Sequence, residues 1–278
     1  VTFHQMFSGC TNFNADLSKW GRKLTNARKF DRMFLNCTNF EGRGLETWKV
    51  GNATSTNGMF TNCWSLTDVD FSGWNVSNVT SFDGMFTSCE NFEGRGLDQW
   101  DPQSGFSFDG MFQDGGTNDT FSNLDLSNWK MRSATSLRRM FYYTRFKGRG
   151  LQNWDVSKVY FFYEMFYETP LTGASVEKWD VSSGLIFVSM FEGCVNFDAD
   201  LSDWRPEKGI TFSRMFSGCV SLRNIRFTLT NTCTDLSRMF YGCTQFNAED
   251  LGEWDVGNVR DFSSMFEGCS SLQDPKIG

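Results

Sequence analysis

The chain has 278 residues, of which 40% are hydrophobic, 21% charged and 17% aromatic, and it carries a formal net charge of −7. That length can bury a substantial core, and the acidic balance leaves no overall basic footprint for nucleic acid or an anionic membrane. No apolar run approaches the roughly 20 residues of a membrane span, and VTFHQMFSGC lacks the basic start and apolar stretch of a signal peptide. VTFHQMF reads as the middle of a structural unit, so a mature form or a fragment of a longer protein is expected.

From the N-terminus onward, Met-Phe pairs fall at Met6, Met33, Met59, Met85, Met111, Met140, Met165, Met190, Met215, Met239 and Met265, at intervals of 24–29 residues. Cysteine lies four residues after the Met at Cys10, Cys37, Cys63, Cys89, Cys194, Cys219, Cys243 and Cys269. Tryptophan follows the Met by 14 or 15 residues at Trp20, Trp48, Trp74, Trp100, Trp154, Trp179, Trp204 and Trp254. Trp129 comes at 18, after an insertion at 114–120. Self-similarity at a fixed period of this length is the signature of a stacked repeat.

Each unit reads as two pieces. Phe3, Met6, Phe7 and Cys10 stand at i, i+3, i+4 and i+7, as do Phe82, Met85, Phe86 and Cys89, which predicts a short helical turn with one apolar face. LTDVDFSGWNV (66–76) and FSNLDLSNW (121–129) alternate, which predicts a short strand. A unit of about 26 residues cannot bury its own aromatics, so stacking is required. The expectation is an α/β repeat solenoid, one continuous domain over 1–278, with about eleven rungs of 24–29 residues. Each rung would hold one short parallel strand plus one short helical turn.

MFxxCxxF followed by DLSxWDVSxV resembles the repeat of BspA-like bacterial and protist surface proteins, itself similar to the leucine-rich repeat. The CxxLxxIxI core of that repeat is visible in CWSLTDVDF (63–71) and CVSLRNIRF (219–227). The resemblance implies a leucine-rich-repeat-like, right-handed solenoid, an extracellular or cell-surface location, and adhesive or structural roles without a named activity. Two departures stand out. The family's lipid-anchoring cysteine is absent, and the ninth unit lacks its Trp over RFTLTNTCTDL (226–236), where an irregular turn is expected.

The single histidine, His4, argues against multi-His metal sites and a Ser–His–Asp arrangement, and the absence of CxxC spacing argues against zinc. Carboxylate pairs of a glycosidase would have to come from acids that recur at one place in the repeat, which is how structural residues behave. No catalytic residue, cofactor or metal is assigned, and a carbohydrate-active enzyme is a distant third reading. The eight phased cysteines read either as small buried side chains or as disulfides between neighbours, Cys10–Cys37, Cys63–Cys89, Cys194–Cys219 and Cys243–Cys269. Cys233 is out of phase. The Trp column reads as core, and Trp64, outside it, as an exposed contact residue. N-glycosylation sequons occur at Asn36, Asn52, Asn75, Asn78 and Asn118, with Asn52 and Asn118 expected to be the most accessible.

NFEGRGLETW (39–48) and NFEGRGLDQW (91–100) are two rungs apart, and KGRGL (147–151) lies two rungs further on. Their arginines fall into an inter-rung charge ladder of alternating sign: Asp16, Arg43, Asp70, Arg95, Asp125, Arg149, then, after a break at Ser175, Asp200, Arg226 and Asp250. Opposite charges on adjacent rungs favour stacking and like charges oppose it. Lys276 would continue the alternation at the far end. The sequence thus points to an extracellular or cell-surface structural or adhesive protein that self-associates head-to-tail, or binds other surface proteins or glycans. The alternative is a recognition module for a protein or glycan partner, with no role for nucleic acid and no membrane span.

Overall fold

The computed structural model describes residues 1–247 and 251–273. The chain divides into two compact units, Val1–Ala134 with Met140–Trp154, and Thr135–Arg139 with Asp155–Gly278. Each is a stack of the rungs marked out by the Met-Phe period.

In the first unit the N–H groups of Phe3, Gln5, Phe7 and Gly9 donate to the carbonyls of Lys29, Asp31, Met33 and Leu35 on the next rung, at 2.7–3.0 Å. The intervening N–H groups bond locally: Met6 donates to Phe3, Ser8 to Gln5 and Cys10 to Phe7, at 3.0–3.2 Å. In the second unit Phe212, Arg214, Phe216 and Gly218 donate in the same way to Asp235, Ser237, Met239 and Tyr241. The turn ribbons thus donate to the next rung, while the residue before each bridge donates the other way, as Arg28 N–H does to the Val1 carbonyl at 2.9 Å and Thr54 N–H to the Arg28 carbonyl at 2.7 Å, and stacking pairs backbone polar groups that burial would otherwise leave unpaired.

The predicted helical turn is replaced by two successive four-residue turns. Their third residues are left-handed, with φ of 56° at Gln5 and 77° at Gly9, and 60° at Gly84 and 54° at Ser88. A positive φ at the third position is the type II turn pattern. A ribbon of such turns puts Phe, Met, Phe and Cys on one side just as a helix would. Unlike a helix, it leaves alternate N–H groups free for the neighbouring rung.

The predicted strand is also displaced. Parallel pairing occurs as single-residue bridges just before each turn ribbon, along Thr2, Lys29, Ser55, Ser81 and Ser107 in the first unit. The second unit has the matching series Ser136, Phe161, Ile186, Thr211, Asp235 and Asp261. Around 66–76 the rung makes one inter-rung backbone bond, Phe71 N–H to the Arg95 carbonyl at 3.0 Å. The chain then turns, because the Asp70 carboxylate takes the Ser72 N–H at 2.9 Å. Phe121–Asn123, expected in a strand, is a turn of 3₁₀ helix, as are Leu45–Thr47, Leu97–Gln99 and Leu151–Asn153.

Aromatic columns fill the core. In the first unit Phe7, Phe34, Phe60, Phe86, Phe112 and Phe141 stack face to face with centroids 5.5–5.8 Å apart. Trp20, Trp48, Trp74, Trp100, Trp129 and Trp154 form a second column at 6.1–6.4 Å. Burying each large apolar side chain contributes about 1.5–3 kcal/mol, which the 3₁₀ turns alone could not supply. Where the ninth unit lacks a tryptophan, Phe227 enters the column instead, 6.5 Å from Trp204 and 5.9 Å from Trp254.

Candidate interaction surfaces

The buried columns leave polar groups that must be satisfied within the stack. The indole N–H groups of seven core tryptophans donate to carbonyls of the preceding rung, as in Trp48 to Leu17 (3.3 Å), Trp74 to Leu45 (2.8 Å) and Trp100 to Phe71 (3.0 Å). These seven tryptophans are thus buried and bonded, with no ring face open to a sugar. The cysteines do the same with sulfur: Cys37, Cys63, Cys89, Cys194, Cys219, Cys243 and Cys269 place Sγ 2.9–3.1 Å from a Phe carbonyl of the rung before. All nine cysteines are free thiols, eight of them buried and Cys10 exposed. Burial pushes the Cys37 thiol up to about 11 and those of Cys194 and Cys243 to about 12. Such thiols are poor nucleophiles.

The charge ladder resolves into separate couples. Arg149 Nε lies 2.9 Å from Asp125, whereas Arg95 Nε lies 3.9 Å from Asp70 and its Nη1 reaches Asp68 at 2.9 Å. Arg43 turns to Glu41 on its own rung at 2.7 Å, although its carbonyl accepts the N–H of Leu17, next to Asp16. Among the described residues, neither Arg43 nor Arg95 pairs with the acid of the rung that follows. Asp16, Asp70, Asp125 and Asp200 all titrate below the usual carboxylate range, mainly because each binds the serine two residues on. Arg226 adds a smaller attraction to Asp200. Asp250 and Lys276 lie outside the described residues.

The glycines of GRG make the tighter fit. Gly44, Gly96 and Gly150 have φ of 88°, 83° and 95°, and each opens a 3₁₀ turn. A Cβ on Gly96 would stand 2.2 Å from the Ser72 nitrogen, and one on Gly44 would stand 2.1 Å from the Ser18 nitrogen. Sequence reasoning assigned the stacking to the arginine. The paired glycines were the signal that the backbone itself closes on the preceding rung.

Of the sequons, Asn36, Asn52, Asn75 and Asn78 are exposed, while Asn118 is half-buried. Asn118 donates Nδ2 to the Phe92 carbonyl at 3.1 Å and accepts the Phe121 N–H at 2.9 Å. Asn52 and Asn78 also commit Nδ2 to carbonyls, those of Thr25 and Gly51. Trp64 is 48% exposed, and its carbonyl accepts from Asn91. His4 is exposed, and among the described residues no group of three His, Cys, Asp or Glu side chains is arranged to hold a metal. Sequence reasoning missed the ion pairs Arg139–Glu164 (2.6 Å) and Arg223–Asp198 (2.6 Å), whose partners are one rung apart with no shared motif.

The sequence matches the profile of the family described as "Mycoplasma protein of unknown function, DUF285" over residues 1–69, 54–169, 143–232 and 222–277. The chain belongs to this family. The overlapping DUF285 matches tile it from end to end, as the rung period requires. No curated protein matches it. Among solved structures, a leucine-rich cell surface protein of Faecalibacterium prausnitzii is 12% identical, covering 82% of this chain and 77% of that one at a TM-score of 0.31. A leucine-rich repeat protein of Bacteroides ovatus is 13% identical, with coverage of 85% and 80% and a TM-score of 0.28. One from Leptospira interrogans is 8% identical, with coverage of 92% and 73% and a TM-score of 0.23. Likeness at these scores carries no argument about this chain.

Proposed function

We propose that the chain is an extracellular or cell-surface structural repeat protein that associates head-to-tail through its rungs. What supports self-association is the complementarity of the two faces of a rung: turn-ribbon donors such as Phe7 N–H meet acceptors such as the Met33 carbonyl on the next rung, and Arg28 N–H meets the Val1 carbonyl in the other direction. The forward face of one rung is then complementary to the backward face of any other rung of the same repeat. Two copies meeting this way form a heterologous contact, which propagates into a linear series. The surface placement is supported by the resemblance of the repeat to that of BspA-like surface proteins. No helix among the described residues is long and apolar enough to cross a membrane.

Electron microscopy and sedimentation of the protein from its native source test the association. Linear particles that lengthen with concentration are expected, and a population lacking them overturns head-to-tail assembly. Protease shaving of intact cells tests the placement, with release of rung-sized fragments expected.

Adhesion through a recognition face is the second reading. It is favoured by Trp64, an exposed aromatic in a column whose adjacent-rung counterparts are Thr38 and Glu90.

A further inference from the structure

Between Asp16 and Asp31 the chain carries Lys19, Arg22, Lys23, Arg28 and Lys29 and no acid, in a protein whose net charge is −7. The fold gathers part of this run at one corner of the first unit. The Ala27 N–H donates to the Leu24 carbonyl at 2.8 Å, and this turn sets Lys23 and Arg28 at its two ends, with Lys29 next in line. On the following rung the Ala53 N–H closes the same turn on the Val50 carbonyl at 2.7 Å, which puts Lys49 in the place of Lys23. Asn52 ties the two turns together, with Nδ2 2.6 Å from the Thr25 carbonyl. Lys23, Arg28, Lys29 and Lys49 are all exposed.

This arrangement works against folding. Lys23 and Lys49 stand on neighbouring rungs, about 5 Å apart along the stack at the usual strand spacing, where like charges destabilise the pairing. Among the described residues none of the four cations makes an ion pair. Exposed arginines further along the same unit do find acids: Arg95 pairs with Asp68, Arg145 with Asp119 and Arg149 with Asp125, at 2.7–2.9 Å. Cations gathered without partners, at a cost to the fold, mark a place where an outside anion binds.

The limits of the corner say which anion fits. On the next two rungs the place of Lys23 and Lys49 is taken by Asn75 and then by the exposed Asp101. A flat anionic membrane would extend past this short patch onto the acidic remainder of the protein. A single polymer strand would not, since repulsion from charges beyond about 8–10 Å is screened in salt. Single-stranded nucleic acid is held by cations interleaved with open aromatic rings. The aromatics of this run are taken up by the core instead: Trp20 stacks on Trp48 at 6.4 Å, and Phe30 is fully buried.

We propose that the corner formed by Lys23, Arg28, Lys29 and Lys49 binds a linear acidic polysaccharide, the cations meeting its sulfate or carboxylate groups. Encounter with such a polymer rests on the surface placement proposed above, and binding itself does not depend on head-to-tail stacking.

Calorimetric titration of the purified full chain with a heparin dodecasaccharide tests it. Binding is expected at about 50 mM salt and should weaken steeply as salt is raised, as counterion release requires. Lys23→Glu and Lys49→Glu should each weaken binding by at least about fivefold, because a contact is lost and a repulsion gained. Lys158→Glu, the same charge change at an exposed lysine of the second unit, should change it by less than about twofold. Lys49→Glu should leave the urea midpoint level or raised, since an attraction to Lys23 replaces a repulsion, and this separates lost binding from lost fold. Absence of binding at low salt overturns the proposal, as does equal weakening by Lys158→Glu. Equal or tighter binding of a DNA duplex or of phosphatidylserine vesicles also overturns it and gives the corner to nucleic acid or to a membrane. Heparin binding in a chain that protease shaving fails to find at the surface overturns only the placement.

Discussion

Gly96 closes on Ser72 so tightly that a methyl group on it would stand 2.2 Å from the Ser72 backbone nitrogen and 2.7 Å from Asp70 Oδ1. The contact is backbone against backbone across two rungs, and φ at Gly96 is +83°. Gly96→Ala is expected to destabilise the protein by at least about 2 kcal/mol, combining left-handed strain with displacement of a neighbouring rung. Gly9 has a similar φ of +77° but nothing within 4 Å, so Gly9→Ala should cost about 1 kcal/mol. Urea unfolding of the two variants measures the difference.

The arginine between the glycines should matter far less. Arg95 is 57% exposed and its closest acid, Asp68, 73%, so Arg95→Met should cost under about 1 kcal/mol, and less in high salt. If the arginine variant falls further than Gly96→Ala, the pairing of charges rather than the backbone fit holds these rungs together.

Trp100 is expected to be more sensitive than its size alone suggests. Trp100→Phe removes both part of a stacked column and the indole N–H to the Phe71 carbonyl. A loss of about 1–3 kcal/mol by chemical denaturation is expected.

The buried thiols give the protein an alkaline limit. Their ordinary value is 9.0, and burial raises Cys37, Cys233 and Cys269 to about 11 and Cys194 and Cys243 to about 12. Above pH 9 the unfolded chain loses these protons while the folded chain keeps them, so the unfolded state binds fewer protons and stability falls as pH rises. The contribution is fully present below about pH 9 and is lost progressively up to about pH 11–12. Denaturation midpoints at about pH 8 and about pH 10.5 should show the drop, and Cys194→Ala should show less of it.

In a eukaryotic secretory host, Asn36 and Asn75 should be the sequons that accept glycan, and Asn118 should remain bare. Asn36 is exposed and accepts the Asn62 amide through Oδ1, and Asn75 uses Oδ1 for Ser77, so neither commits its nitrogen. Glycopeptide mass spectrometry reads the occupancy.

The period, the core and the order of the rungs were legible in the sequence because burial repeats with the chain. Met33, Phe34, Cys37 and Trp48 are all 0% exposed, as their phase required. Local backbone was harder to read. Spacing at i, i+3, i+4 and i+7 is common to a helix and to a ribbon of left-handed turns, and only a second signal separates them. That signal was present in Gly58, Gly84 and Gly110 before the Met and Gly193, Gly218 and Gly242 after it, all at positive φ. The alternation of 66–76 misled because Val69, Phe71 and Trp74 do face the core, but around a corner set by Asp70 and Ser72.

The complementary faces of the rung bear on the gene as well as the molecule. Duplication or loss of one complete unit inside a stack leaves every new junction with matched hydrogen bonds and matched rings. Chain length is therefore free to vary in steps of about 26 residues at little cost to folding, and the family can be expected to differ in copy number more readily than in the shape of a single copy.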